Sequence, residues 1–200
     1  IAVSGAFHPL VAEAARYDID LGAHARLLFI TGPNMAGKST YLKSCGIVIA
    51  LAHVGMAVPA RRARISVFDS LCAVVTAHDD IGRGESLFLA EVRRVGDLVA
   101  QLLAGGRVLA LADELFKGTN VMDASDATEA VVRGFARCDR SAFIVASHLA
   151  ELAVRLGDEE GIRFAHFDAA VGGPGPRFTY ELKPGVSRQR LGMVLLRPGG

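Results

Sequence analysis

Two glycines, a lysine and a hydroxyl residue stand at a spacing that suits a polyanion. Gly32, Pro33, Asn34, Met35, Ala36, Gly37, Lys38 and Ser39 follow one another between an apolar run ending at Ile30 and a further apolar stretch beginning near Lys38. They fit the phosphate-loop pattern of a strand, a glycine-bounded turn, Lys-Ser and a helix. Glycines at both ends let backbone N–H groups wrap an anion, and the helix N-terminus adds partial positive charge. On this reading the ligand is Mg-ATP, with Lys38 on the β- and γ-phosphates and the Ser39 hydroxyl on Mg²⁺. The plain alternative is a strand-to-helix turn that holds nothing.

Asp113 and Glu114 end another apolar run, Val108 to Ala112, where a phosphate-loop protein needs a second contact to its metal. Asp113 fits that metal role. Side chains alternate along a strand, so Glu114 is free to face the water that attacks the γ-phosphate, which points to hydrolysis, an ATPase, rather than transfer to an acceptor. An acidic helix start after a strand is the alternative. His148 follows a third buried run, Ala142 to Ser147, and from there either bonds the γ-phosphate or orients the water, or is structural.

These residues need a scaffold, and the chain supplies one. The short apolar runs Arg26 to Ile30, Val108 to Ala112 and Ala142 to Ser147 read as strands buried on both faces. Between them Val92, Val95, Val99, Leu102 and Leu103 predict one face of a helix after Ser86, stopped by Gly105 and Gly106. A further helix is expected after Asp123 as N-cap, carrying Val131, Val132 and Phe135. The stretch Ile47 to Val58, too short for a membrane span, predicts a helix behind the phosphate loop. Ile162 to Asp168 and Arg177 to Lys183, joined by a Gly/Pro turn, predict an antiparallel hairpin at the sheet's edge. The expected class is α/β: a P-loop NTPase with a mainly parallel sheet flanked by helices, in one domain over residues 1–200.

With 51% hydrophobic and 22% charged residues in 200, the chain has the composition of one globular domain. A net charge of +1 gives it no global footprint for nucleic acid or an acidic membrane. Cys45, Cys72 and Cys138 lack metal-ligand spacing, which suits a reduced, cytosolic protein without structural zinc. A start at Ile1, without a leader, reads as a piece of a longer protein. The basic clusters at Arg61, Arg62 and Arg64, and at Arg188 and Arg190, read as solvated surface or as phosphate contacts.

Taken together, the motifs resemble the MutS family. Thr31 to Thr40 is similar to that family's phosphate loop. Asp79 to Glu91, centred on Ser86, resembles its signature segment; Asp113, Glu114 and Gly118 to Asn120 resemble its metal-binding strand end and the loop beyond; and Ala146 to His148 its histidine switch. The resemblance runs from about His8 to Leu195. It implies an ABC/MutS-type ATPase with nucleotide contacts from Gly32 through Thr40 and a switch role for His148. It also implies a homodimer in which Ser86 reaches the neighbouring subunit's nucleotide. Tyr180 would stack on adenine, with Tyr17 or Arg16 covering the other side. Because Tyr180 alternates with Phe178 and Leu182, a core role stays open for it. DNA contact and mismatch repair are implied through regions outside these residues, with no membrane.

Three departures mark a divergent branch: Ala36 for a usual Gly, Glu85 for a usual Arg, and Leu115, Phe116 and Lys117 for an Ile-Gly-Arg run. Two other classes compete. An ABC-type transporter subunit would need a Ser-Gly-Gly-Gln signature, which is absent. A nucleotide-gated interaction module with negligible hydrolysis would differ only in turnover.

Overall fold

Every residue of β6 (Val108–Asp113) and β7 (Ala142–Ser147) is buried, and β3 (Ala25–Thr31) is buried at every position but one. Runs of that kind belong in the middle of a sheet covered on both sides. In the computed structural model, which describes residues 1–22, 24–74, 87–157, 159–171 and 176–186, they are neighbours in a six-stranded sheet. With β5 (Ser70–Val74), β8 (Gly161–Val171) and β9 (Pro176–Pro184), the order is β5-β6-β7-β3-β8-β9. All pairings are parallel except β8 with β9, the expected hairpin, which forms the sheet's edge.

Alternate residues of the central strands feed two cores. Leu28 and Ile30 join Leu42, Cys45, Val48 and Ile49 of α1 (Lys38–His53) on one face. Leu27 and Phe29 join the other face, beneath α2 (Leu87–Leu103), α3 (Val121–Ala136) and α4 (Ala150–Arg155). The α1 side is completed by a small antiparallel sheet, order β2-β1-β4, of β1 (Ala2–Ala6), β2 (Tyr17–Asp20) and β4 (Arg62–Arg64). The sequence reading did not anticipate this second sheet. Its β4 strand, Arg62 to Arg64, is fully exposed, a charged edge of the kind that resists strand addition.

Several elements lie elsewhere on their wheels or termini than the sequence suggested. In α2 the buried positions include Glu91, Val95 and Leu98, with Leu102 packed against them, whereas Val92, Val99 and Leu103 are exposed. The helix is turned by about one residue because a buried glutamate is invisible to a search for apolar periodicity. Its end is as expected: Gly105 takes φ 82° and the Gly106 N–H donates to Gln101 O at 3.1 Å. In α3 the N-cap is Asn120, not Asp123; the Asn120 side chain accepts from the Asp123 N–H at 2.9 Å. The stretch from Ile47 is helical only to His53, and Val54 and Met56 beyond it are exposed.

Candidate functional site

Parallel pairing brings three adjacent strand ends together, and the chemistry stands on them. Thr31 of β3 is paired with Ser147 of β7, and Asp113 of β6 with Ala146. Residues 32–39, 113–114 and 148 thus converge at the carboxyl end of the sheet, where open α/β sheets bind ligands.

The turn after β3 is built for close backbone approach. Gly32 takes φ 149°, and a Cβ there would lie 2.8 Å from Phe167 O. Gly37, at φ 111°, occupies the cap position of α1 without any side-chain cap, which leaves the first N–H groups of the helix for a ligand. Ala36 stays out of the left-handed region and is fully buried, so its extra methyl is accommodated; Met35 takes φ 67° and is exposed.

Lys38 is buried and donates from Nζ to Gly32 O at 2.7 Å and Pro33 O at 3.0 Å. Burial lowers its pKa, opposed by Glu114 and Asp113. Ser39 Oγ donates to Asp113 Oδ2 at 2.5 Å. Two hard oxygen donors within hydrogen-bond distance of each other are of the kind that could hold Mg²⁺ together with ligands from phosphate and water. At the end of β3 the Thr31 hydroxyl is buried without a hydrogen-bond partner.

Glu114 follows β6 in a left-handed conformation, φ 57°, with its N–H on Ala146 O at 2.9 Å. Its carboxylate faces three bases: Lys117 Nζ at 3.0 Å, His148 Nδ1 at 3.4 Å and Lys38 Nζ at 3.9 Å. The hydrogen bond from His148 is the largest influence. With Lys117 it outweighs burial and brings the Glu114 pKa down from 4.5 to about 2. In the sequence Lys117 stood out only as part of a departure from the family's usual run, with no site role assigned to it. Its place three residues after Glu114 was the available signal.

That depression fixes a pH dependence. A carboxyl that titrates lower folded than unfolded stabilises the fold fully above about pH 4.5, and the contribution is lost as pH falls toward 2. Glu114→Gln is therefore expected to be ~1–3 kcal/mol less stable than the parent at pH 7, with the gap narrowing below pH 4.5. Urea unfolding at a series of pH values measures it.

A cavity of about 620 Å³ opens beside the cradle, lined by residues 11–15 of the loop after β1, by Asn34, Met35 and Gly37 to Thr40, and by Glu114, Thr179 and Tyr180. Tyr180 is 47% exposed, with φ 55°. An irregularity in the β8–β9 pairing between Phe167 and Ala169 takes it out of alternation with Phe178 and Leu182, which pack on the core. Tyr17 also lines the cavity but is buried, edge-on to Tyr41 and Phe167, so it forms floor rather than cover. Arg16 lies outside this cavity; its guanidinium sits 4.7 Å over the Phe7 ring and donates to Gly5 O. The loop of Val11 to Ala15, and not Arg16, lines the cavity together with Tyr180. Small apolar residues in a loop gave no signal in the sequence.

Ser86, with the rest of 75–86, and Arg188 and Arg190 lie outside the described residues. The three cysteines are free. Among the described residues no helix is long and apolar enough to cross a membrane.

Fold and site define a mixed α/β domain whose mostly parallel sheet carries its polar constellation at the strands' carboxyl ends. The chain belongs to the MutS family: the family described as MutS domain V matches residues 28–197. The DNA mismatch repair protein MutS of Granulibacter bethesdensis is 40% identical to it over 141 residues, which is 70% of this chain and 15% of that protein. The chain thus spans a small part of the length of that relative.

Proposed function

We propose that this chain is a P-loop ATPase domain that binds and hydrolyses Mg-ATP as the motor of a MutS-like, DNA-handling protein, with mismatch repair as its context. The observation that carries the reading is the cluster at one strand-end junction: Ser39 on Asp113 at 2.5 Å, with Lys38 and Glu114 alongside at 3.9 Å.

On this reading the N–H groups from Gly32 to Thr40 receive the phosphates. The Lys38 ammonium exchanges its two carbonyl partners for phosphate oxygens. Ser39 and Asp113 would hold the magnesium that arrives with the nucleotide, and that ion would supply neutralising charge to the phosphates. Glu114, ionised throughout the physiological range, accepts from the attacking water, and His148 orients that water or the γ-phosphate. Tyr180 offers its exposed ring to the base in the cavity that Val11 to Ala15 also line. Partners and place follow as proposals: a homodimer through the ATP sites, DNA bound by regions outside these residues, and the cytoplasm.

The site is shared in this reading: Ser86 of one chain completes the partner's site. The test mixes two variants, Lys38→Ala and Ser86→Ala, each fused to the same dimerising tail. In the mixed dimer one site carries both lesions and the other none, so random pairing is expected to restore about a quarter of parental sites. Phosphate release that stays at the level of the separate variants contradicts the shared site, given a control dimer with Lys38→Ala on one side only that retains turnover.

A further inference from the structure

Glu91 is a charged residue in an unusual place. It faces inward from the second turn of α2 at 3% exposure, and its Oε2 has no hydrogen-bond partner. Burial raises its pKa, while the backbone N–H groups of Gly118 and Lys117 act on the carboxyl as donors and pull the other way. Those N–H groups belong to the loop that leaves Glu114.

Two further contacts close the same junction. A Cβ on Gly118 would lie 2.5 Å from Phe88 N, so the loop backbone lies directly against the first turn of α2. The Phe116 ring, buried despite a left-handed φ of 61°, lies 6.0 Å from the Phe88 ring. At its other end the loop is pinned by the Glu114 N–H on Ala146 O. Glu114 and Phe116 are both held in a region that non-glycine residues avoid, and such conformations persist only where the surroundings impose them.

We propose that Glu91 is a positioning residue: it ties the loop of Lys117 and Gly118 to the first turns of α2, and so holds Glu114 and Lys117 in their places beside the phosphate cradle. This rests on the reading of Glu114 as the group that faces the attacking water. A glutamine retains the shape and one carbonyl acceptor for the loop amides, whereas alanine takes that acceptor away from them.

The test uses the full-length protein with Glu91→Ala and Glu91→Gln. Hydrogen exchange at the amides of Lys117 and Gly118 is expected to rise at least ~10-fold in Glu91→Ala, with β6 unchanged. In the same variant kcat for Mg-ATP is expected to fall ~10–100-fold with KM little changed, the mark of misplaced chemistry rather than lost binding. Glu91→Gln restores most of both. Unchanged exchange at Lys117 and Gly118 overturns the tie, and raised exchange with parental kcat overturns the positioning role. Should Glu91→Ala not fold, Gly118→Ala lifts the loop off Phe88 with Glu91 intact, and parental kcat there overturns the proposal equally. A parent protein without Mg-ATP turnover overturns the reading of the site instead, and the exchange result then decides the tie alone.

Discussion

Replacing Glu114 by glutamine is expected to lower steady-state ATP turnover ~10²–10⁴-fold while the nucleotide still binds. The side chain keeps its shape but loses the charge that makes it an acceptor for water's proton. The geometry gives the reason for expecting binding to survive. In the parent the carboxylate occupies Lys117 at 3.0 Å and His148 at 3.4 Å, with Lys38 at 3.9 Å. Without it those groups are left facing the triphosphate, so affinity for Mg-ATP is expected to equal or exceed the parent's. Phosphate release in the steady state, measured beside nucleotide retained on filters, reads both effects. Parental turnover in this variant would move the role to another residue, His148 first.

The pKa of about 2 also says what kind of acceptor Glu114 is. A carboxylate so stabilised is ionised near neutrality but is a weak base, so on the proposed reading it would orient water more than hold its proton for long. Any event that draws Lys117 or His148 away strengthens it as a base. The γ-phosphate is a competing anion that would draw both.

How much of this was legible in the sequence follows from what burial does to residue types. The strands around Phe29, Leu111 and Ile144 are buried on both faces, so nothing but apolar residues suits them and their boundaries show plainly. The glycines at 32 and 37 are legible for the same kind of reason: one stands against the Phe167 carbonyl and both take φ values that side chains avoid. The phase of α2 was hidden because its buried face includes Glu91, a polar residue whose partners lie more than twenty positions away in the chain. The β2-β1-β4 sheet was hidden because Ala2 to Ala6 and Arg62 to Arg64 are short and join only in three dimensions. Tyr180 alternates with Phe178 and Leu182 on paper, yet the pairing irregularity opposite Phe167 to Ala169 turns it toward the cavity.

The second large effect concerns Lys38. Its ammonium is buried and already held by the carbonyls of Gly32 and Pro33, so on the proposed reading little ordering would remain for a phosphate that replaced them. Asp113 and Glu114 stand nearby and would repel a triphosphate, and Lys38 is the buried ammonium closest to the loop amides that could offset them, with Lys117 at the far side of Glu114. Lys38→Ala is expected to weaken Mg-ATP binding at least tenfold, about 1.4 kcal/mol. Calorimetric titration of Mg-ATP into the parent and into Lys38→Ala, with matched thermal melting to show that both are folded, puts the central claim to the test. Saturable binding by the parent and a tenfold or greater loss in the variant are expected; equal affinity of the two, or a parent that binds no Mg-ATP, would overturn the ATP-binding reading.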